Sequence, residues 1–210
     1  MANKEIQQLQ SLLKLRDRLV KQRSGYKTSL KEQKRVLDQN EYQLLFAVQK
    51  QLITQFNEHI KTVEAQIRAI IKDNDQLKTP YKLILSVKGV GPQTAYHLLV
   101  FTHGFTRFKT WRQLAAYSGT APFPYQSGSS IRGRSKVSHL ANKKIKSLLD
   151  LCAKSAIQHD AQLKEYYQKK TKQGKEKMSV INAVRNKILA RVFAVVERGT
   201  PYVDIFKHAA

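Results

Sequence analysis

The chain has 210 residues, room for one ordinary domain or for a small domain with a long helical arm. Thirty-eight lysines and arginines stand against fifteen aspartates and glutamates, a formal net charge of +23, and an excess of that size asks for a polyanionic partner, most often nucleic acid. The lone Cys152 excludes a disulfide framework and a cysteine zinc site; no apolar run approaches the roughly 18 residues that span a bilayer, and the start MANKEIQQLQ lacks the core of a signal peptide, so the expectation is a cytoplasmic protein with no membrane partner.

The charge is unevenly placed. Residues 1–80 hold fifteen basic and nine acidic side chains, whereas residues 81–149 hold eleven basic ones and no acid at all. A surface pressed against phosphate needs that composition, because a carboxylate would repel the backbone it approaches.

In chain order, Ile6, Leu9, Leu13 and Val20 fall at alternating spacings of three and four, with Arg16 filling one slot. After a break expected near Gly25 the chain resumes through Leu30 and Leu37, and a second series runs Leu45, Val48, Leu52, Phe56, Ile60, Val63, Ile67 and Ile70. That period is the seam of a coiled coil. Asp38-Gln39-Asn40 offers turn and N-cap chemistry between the two series, so residues 1–79 read as an antiparallel helical arm, a candidate for homo-oligomerisation or for folding onto its own domain. Thr79-Pro80 marks the boundary. Residues 80–205 read as a compact helical domain, and the whole as all-α.

Within that domain, Tyr81 to Ser86 predicts a short helix, Val87 to Pro92 a tight turn, and Gln93 to Phe101 a second helix. The pattern apolar-x-Gly-apolar-Gly-x-x-x-Ala, closed by Ala95, resembles a helix-hairpin-helix motif. Gly89 and Gly91 let the backbone turn sharply and approach a phosphate without Cβ interference. The N–H groups that open the second helix at Gln93, with Lys88 beside them, then face the anion. The competing reading is a structural turn between helices. His97 and His103 have no ligand partner at usable spacing and read as satisfied histidines.

Pro122, Pro124 and Gly128 then force an extended loop that carries Tyr125, Ser127, Ser129, Ser130, Arg132, Arg134 and Lys136, before a helix expected from Ser138 that brings Lys143 and Lys144. Serines beside glycine and followed by cations suit phosphate binding, or a nucleophile whose developing phosphoryl charge the cations stabilise. Tyr125 is a stacking aromatic, or a second candidate nucleophile. The last helix, Met178 to Glu197, presents Val180, Ile181, Val184, Ile188, Leu189, Val192 and Val195 on one face and reads as core, ended by Gly199.

The run LSVKGVGPQTA, followed by RFKTWRQLAAYSGTAPFPYQSGSSIRGRSKVSHLANKKIKSLLDLCA, resembles the C-terminal transposase domain of the IS110 (IS116) insertion-sequence family. The glycine hairpin, the Ala-Tyr-x-Gly-x-Ala-Pro segment and the Ser-Gly loop recur in the same order, and the likeness runs from about Leu9 to Tyr202. The resemblance implies a DNA transposase or recombinase, in some members guided by an RNA. It makes Ser127 the match to the family's nucleophile, which forms a phosphoserine link to DNA, and it gives Arg132 and Arg134 the phosphate or the guide RNA. Thr120 and Ala141 stand where Leu or Val and Gly are more usual. Family members also carry an N-terminal RuvC-like domain whose acidic tetrad binds Mg²⁺. These residues supply no such tetrad, so the expectation is a chain with no cofactor of its own, Mg²⁺ only alongside that domain, and no strand transfer alone. The alternative is a non-catalytic nucleic-acid-binding or dimerising regulator, or a remnant of a transposase.

Overall fold

A computed structural model describes residues 3–38, 40–127, 131–137 and 140–204. Gln39, Gly128, Ser129, Ser130 and Ser138, singled out above, lie outside the described residues. The chain divides into two compact units, residues 3–75 and 76–210.

The first unit is an antiparallel pair, α1 (Asn3–Val36) and α2 (Gln43–Asp73). Its register is set by a ladder of polar and aromatic contacts. Arg16 Nε donates to Glu64 Oε1 at 2.6 Å, Arg23 to Asn57 Oδ1 at 2.8 Å, and Gln49 to Gln33 Oε1 at 2.6 Å, while the Tyr26 and Phe56 rings lie 5.8 Å apart. Partner numbers fall on one helix as they rise on the other, as antiparallel pairing requires. The connection uses the expected chemistry, since Asp38 Oδ1 accepts from the Asn40 N–H at 2.7 Å.

The break expected at Gly25 is absent, and α1 runs straight through it. One glycine costs a helix interior only about 1 kcal/mol, and contacts to α2 on either side of it, Arg23 with Asn57 and Tyr26 with Phe56, hold the helix across it. The buried stripe of α2 also differs near the turn. Phe46 and Gln49 are buried and Val48 is 44% exposed, one residue out of step with the expected Leu45 and Val48; from Ile60 through Ile67 the expected stripe holds. The Gln49–Gln33 hydrogen bond is what fills the inner position there.

The second unit is helical apart from one ribbon: α3 (Asp75–Ser86), α4 (Pro92–Phe101), α5 (Trp111–Tyr117), β1 (Phe123–Ser127), β2 (Ile131–Lys136), α6 (Lys143–His159), α7 (Ala161–Lys172) and α8 (Lys177–Arg198). Helix α3 starts six residues before the expected Tyr81 and holds Pro80 inside it, at the loss of one backbone hydrogen bond. Helix α4 is buried without interruption from Thr94 to Val100. A helix without a polar face has to lie at the centre of its domain, and α4 packs on α6, which also packs on α7 and α8. Leu98, Leu99, Leu149, Ile188 and Leu189 are essentially sealed from water, each contributing about 1.5–3 kcal/mol of burial. The seven core positions expected in α8 are all buried, and Gly199 ends it at φ 72°.

Helix α6 begins later than expected. Asn142 caps it by accepting the Ile145 N–H at 3.1 Å, so Leu140 falls before the helix and is 97% exposed. Asp160 divides α6 from α7, accepting the Leu163 N–H with one oxygen and pairing with Arg191 through the other at 2.7 Å. Among the described residues no helix is long and apolar enough to cross a membrane.

Candidate nucleic-acid interface

The segment expected as an open loop is an antiparallel β-ribbon. Tyr125 pairs with Gly133, Gln126 with Arg132, and Ser127 with Ile131, with an irregularity between Phe123 and Tyr125. Ser127 is thus the last residue of its strand, one register step from Arg132. Lys136 pairs with Phe123 at the other end, and Arg134 lies between. Prolines 122 and 124 fit because a two-stranded ribbon is all edge, where a missing N–H is tolerated.

Both roots of the ribbon are fixed. Before β1, Thr120 is wholly buried and Asn182 and Asn186 of α8 both donate to its carbonyl, at 2.8 and 2.9 Å, while its hydroxyl donates to Asn186 Oδ1 at 2.8 Å. After β2, the Asn142 N–H donates to the Tyr117 carbonyl at 2.8 Å. The roots also touch through Gly119, at φ 67°, where a Cβ would lie 2.4 Å from Ala141 Cβ. Asn182 and Asn186 carry no motif that marks them in the sequence; their signal is two amides one turn apart on α8.

The Gly119–Ala141 contact yields a direct test. Gly119→Ala is expected to destabilise the fold by about 2 kcal/mol, from overlap and left-handed strain together. Adding Ala141→Gly should restore about half, the strain remaining. Urea midpoints of the two singles and the double measure this, and strictly additive losses would show that the two residues do not meet.

The glycine hairpin between α3 and α4 is present, and each of its parts has an internal partner. The Val90 N–H closes the turn onto the Val87 carbonyl at 3.1 Å with Gly89 at φ 86°, and Val90 is buried as expected. A Cβ on Gly89 would lie 2.7 Å from Ala156 Cβ and 2.8 Å from the Cys152 carbonyl oxygen, so the close approach that demands glycine is to α6. Gly91 caps α4 and has nothing within 4 Å of a Cβ, but its N–H is directed at Cys152 Sγ, beside the Thr94 hydroxyl at 3.2 Å. Burial pushes the Cys152 thiol pKa up, consistent with a small buried hydrophobe.

Lys88 is engaged as well. The chain after α8 returns across the hairpin, where the Tyr202 N–H donates to Ser86 Oγ at 2.8 Å and Asp204 pairs with Lys88. The hydrogen bond to Asp204 holds the Lys88 ammonium above its ordinary pKa. The Arg191 guanidinium lies 4.8 Å from the Tyr202 ring centroid and fixes the strap from beneath. Gln93 follows Pro92 in the first turn of α4 and is half-buried. His97 is buried with Nδ1 2.8 Å from the Gln93 carbonyl.

The expected contact points therefore fall at two places on one helix. The ribbon roots meet the start of α6, where Lys143 and Lys144 are exposed, and the glycine hairpin meets its Cys152–Ala156 turn. At 1.5 Å per residue, they are separated by about 15–20 Å along α6. Among the described residues no group of three or more His, Cys, Asp or Glu side chains is placed to hold a metal ion.

Residues 81–168, which take in the hairpin, the ribbon and α6, match the transposase model of the IS116/IS110/IS902 family. The chain is 28% identical over 152 residues to the pilin gene-inverting protein of Moraxella lacunata, covering 71% of this chain and 47% of that one. It is 30% identical over 151 residues to a protein of insertion element IS110 from Streptomyces coelicolor, covering 71% of this chain and 36% of that one. The chain thus spans about half the length of the Moraxella relative or less of the others. Shared identity and the family match agree on the same region, and at residues 81–168 this chain carries a transposase domain of the IS116/IS110/IS902 family.

Proposed function

We propose that this chain is the nucleic-acid-binding, serine-bearing part of a DNA transposase or recombinase. The observation that carries the reading is the ribbon: inside the family-matched span, an acid-free segment places Ser127 at the tip end of a strand whose two roots are locked to α8 and to each other. Rigid roots under a reactive tip are what positioning of a nucleophile against a phosphodiester requires. Ser127 Oγ would form one bond to phosphorus as one P–O bond of the DNA breaks, the hydroxyl proton passing to a base and the departing deoxyribose oxygen leaving as a hydroxyl. Arg132, Arg134, Lys136, Lys143 and Lys144 supply positive charge along the ribbon and the start of α6. Any Mg²⁺ the reaction needs would be held by an acidic RuvC-like domain of the kind family members carry, and would stabilise charge on the transferring phosphate.

Binding should fall steeply with salt, since phosphate contacts release counterions. The test is a denaturing gel of DNA incubated with this chain and, in parallel, with this chain plus the RuvC-like domain of a family member. A covalent adduct that forms with the wild type and disappears in Ser127→Ala is the expected result, with salt-sensitive binding unchanged. An adduct that survives Ser127→Ala removes Ser127 from the chemistry and turns attention to Tyr125.

A further inference from the structure

We propose that the groove between the α4–α5 loop and α8 is a site for an unstacked base of a single-stranded nucleic acid, a reading that rests on the nucleic-acid partner proposed above. The groove holds about 520 Å³ and is lined by Phe105, Phe108, Phe193 and Val196, with Lys109 contributed by the loop and Glu197 by α8. It belongs neither to the ribbon nor to the glycine hairpin.

The loop that builds it is held in a costly shape. His103, Gly104 and Phe105 are consecutive left-handed residues at φ 50°, 66° and 69°, and two of the three are not glycine. Thr102 sustains this, its hydroxyl donating to the Leu98 carbonyl at 2.7 Å while accepting the Phe105 N–H at 2.9 Å. The product is an aromatic wall: the Phe105 ring meets Phe193 of α8 edge-on at 5.5 Å. Strain that persists because its surroundings enforce it points to use of the shape.

The charge around the groove decides among occupants. Arg107, Lys109 and Arg112 fall within six residues of sequence, interleaved with Phe108 and Trp111, and no acid occurs between residues 76 and 149. The Arg107 guanidinium lies 5.3 Å from the Phe108 ring centroid and 4.7 Å from that of Tyr117, which stiffens this part of the wall. The Phe105, Phe108 and Trp111 rings are half-buried, and cations interleaved with rings that water still reaches are how proteins hold single strands, stacking bases on the rings while cations follow the phosphates. A duplex buries its base faces and cannot use such a groove. The Glu197 carboxylate repels phosphate, so the strand's backbone lies on the Lys109 side and the base points towards α8.

The experiment measures binding of the full chain, at one fixed low salt concentration, to three labelled probes by fluorescence anisotropy: a 12-nucleotide cytosine DNA strand, its RNA counterpart, and a 12-base-pair duplex. Val196→Trp fills the groove from α8, and Phe108→Leu keeps apolar bulk while removing a ring face; circular dichroism reports whether each folds. A folded variant is expected to bind the single strands about tenfold more weakly, with duplex affinity within about twofold. Loss on the DNA strand, the RNA strand or both supports the site and says which strand it takes. If Val196→Trp does not fold, Phe108→Leu alone decides. Unchanged single-strand binding, or equal losses on single strand and duplex, overturns the groove while leaving the proposed function standing. If the wild type binds none of the three probes, the nucleic-acid reading itself falls and the groove with it.

Discussion

Gly89→Ala is expected to cost about 2–5 kcal/mol, enough to unfold a large fraction of a marginally stable domain. Two penalties combine. At φ 86° an L-residue is strained, and its Cβ would press on the Cys152 carbonyl oxygen and the Ala156 nitrogen at 2.8 and 2.9 Å. Those are backbone atoms of a central helix, which cannot turn aside as a side chain would. Gly91→Ala is the control, two residues away in the same motif but at φ −96° with nothing near its Cβ, and should change stability by no more than about 0.5 kcal/mol. Urea unfolding with an unchanged m-value separates the two. Equal losses would mean that α6 does not press on the hairpin.

Asp150→Ala should cost about 2–4 kcal/mol, because it strands a buried cation. Arg185 is 6% exposed in α8, and its guanidinium pairs with Asp150 of α6. Lys154 also reaches Asp150, at 2.8 Å, but its own side chain is 57% exposed, and Lys154→Ala should cost about 0.5 kcal/mol or less. The pair also predicts a pH dependence. Burial pushes the Asp150 carboxyl up, but Lys154 and Arg185 together hold it below its ordinary value. The unfolded chain therefore takes up the Asp150 proton first as pH falls. The stabilisation is complete above the unfolded carboxylate's pKa and is lost as pH drops through the folded one. Unfolding at pH 7 and pH 3 should show a smaller acid loss in Asp150→Ala than in the wild type.

What the sequence made legible follows from what local patterns encode. Helix α8 could be read position by position because its apolar face repeats at helical period over about four turns, and Gly199 is the residue a left-handed helix end demands. The hairpin turn could be read because Gly89 has a local conformational signature. Its reason for being glycine could not, since Ala156 lies 67 positions away in sequence and only the fold brings it near. The same holds for Thr120: its two amide partners come from α8, more than 60 residues downstream. The ribbon reads as a loop in the sequence because two prolines and a run of Ser and Gly outweigh strand propensity, whereas pairing between Tyr125–Ser127 and Ile131–Gly133 is a property of two segments jointly. Leu140 falls within the helix expected from Ser138, yet the Asn142 cap starts α6 after it.

The strap formed by Tyr202 and Asp204 changes how the chain's cations should be counted. A lysine facing bare solvent contributes to the salt sensitivity of nucleic-acid binding by displacing a counterion from a phosphate. Lys88 already carries its counterion as part of the chain, in the Asp204 carboxylate. A phosphate arriving at the hairpin would exchange one carboxylate for another anion, with no net gain in neutralised charge. Lys88 therefore counts among the thirty-eight lysines and arginines of the chain yet drops out of the effective valence that a polyanion feels.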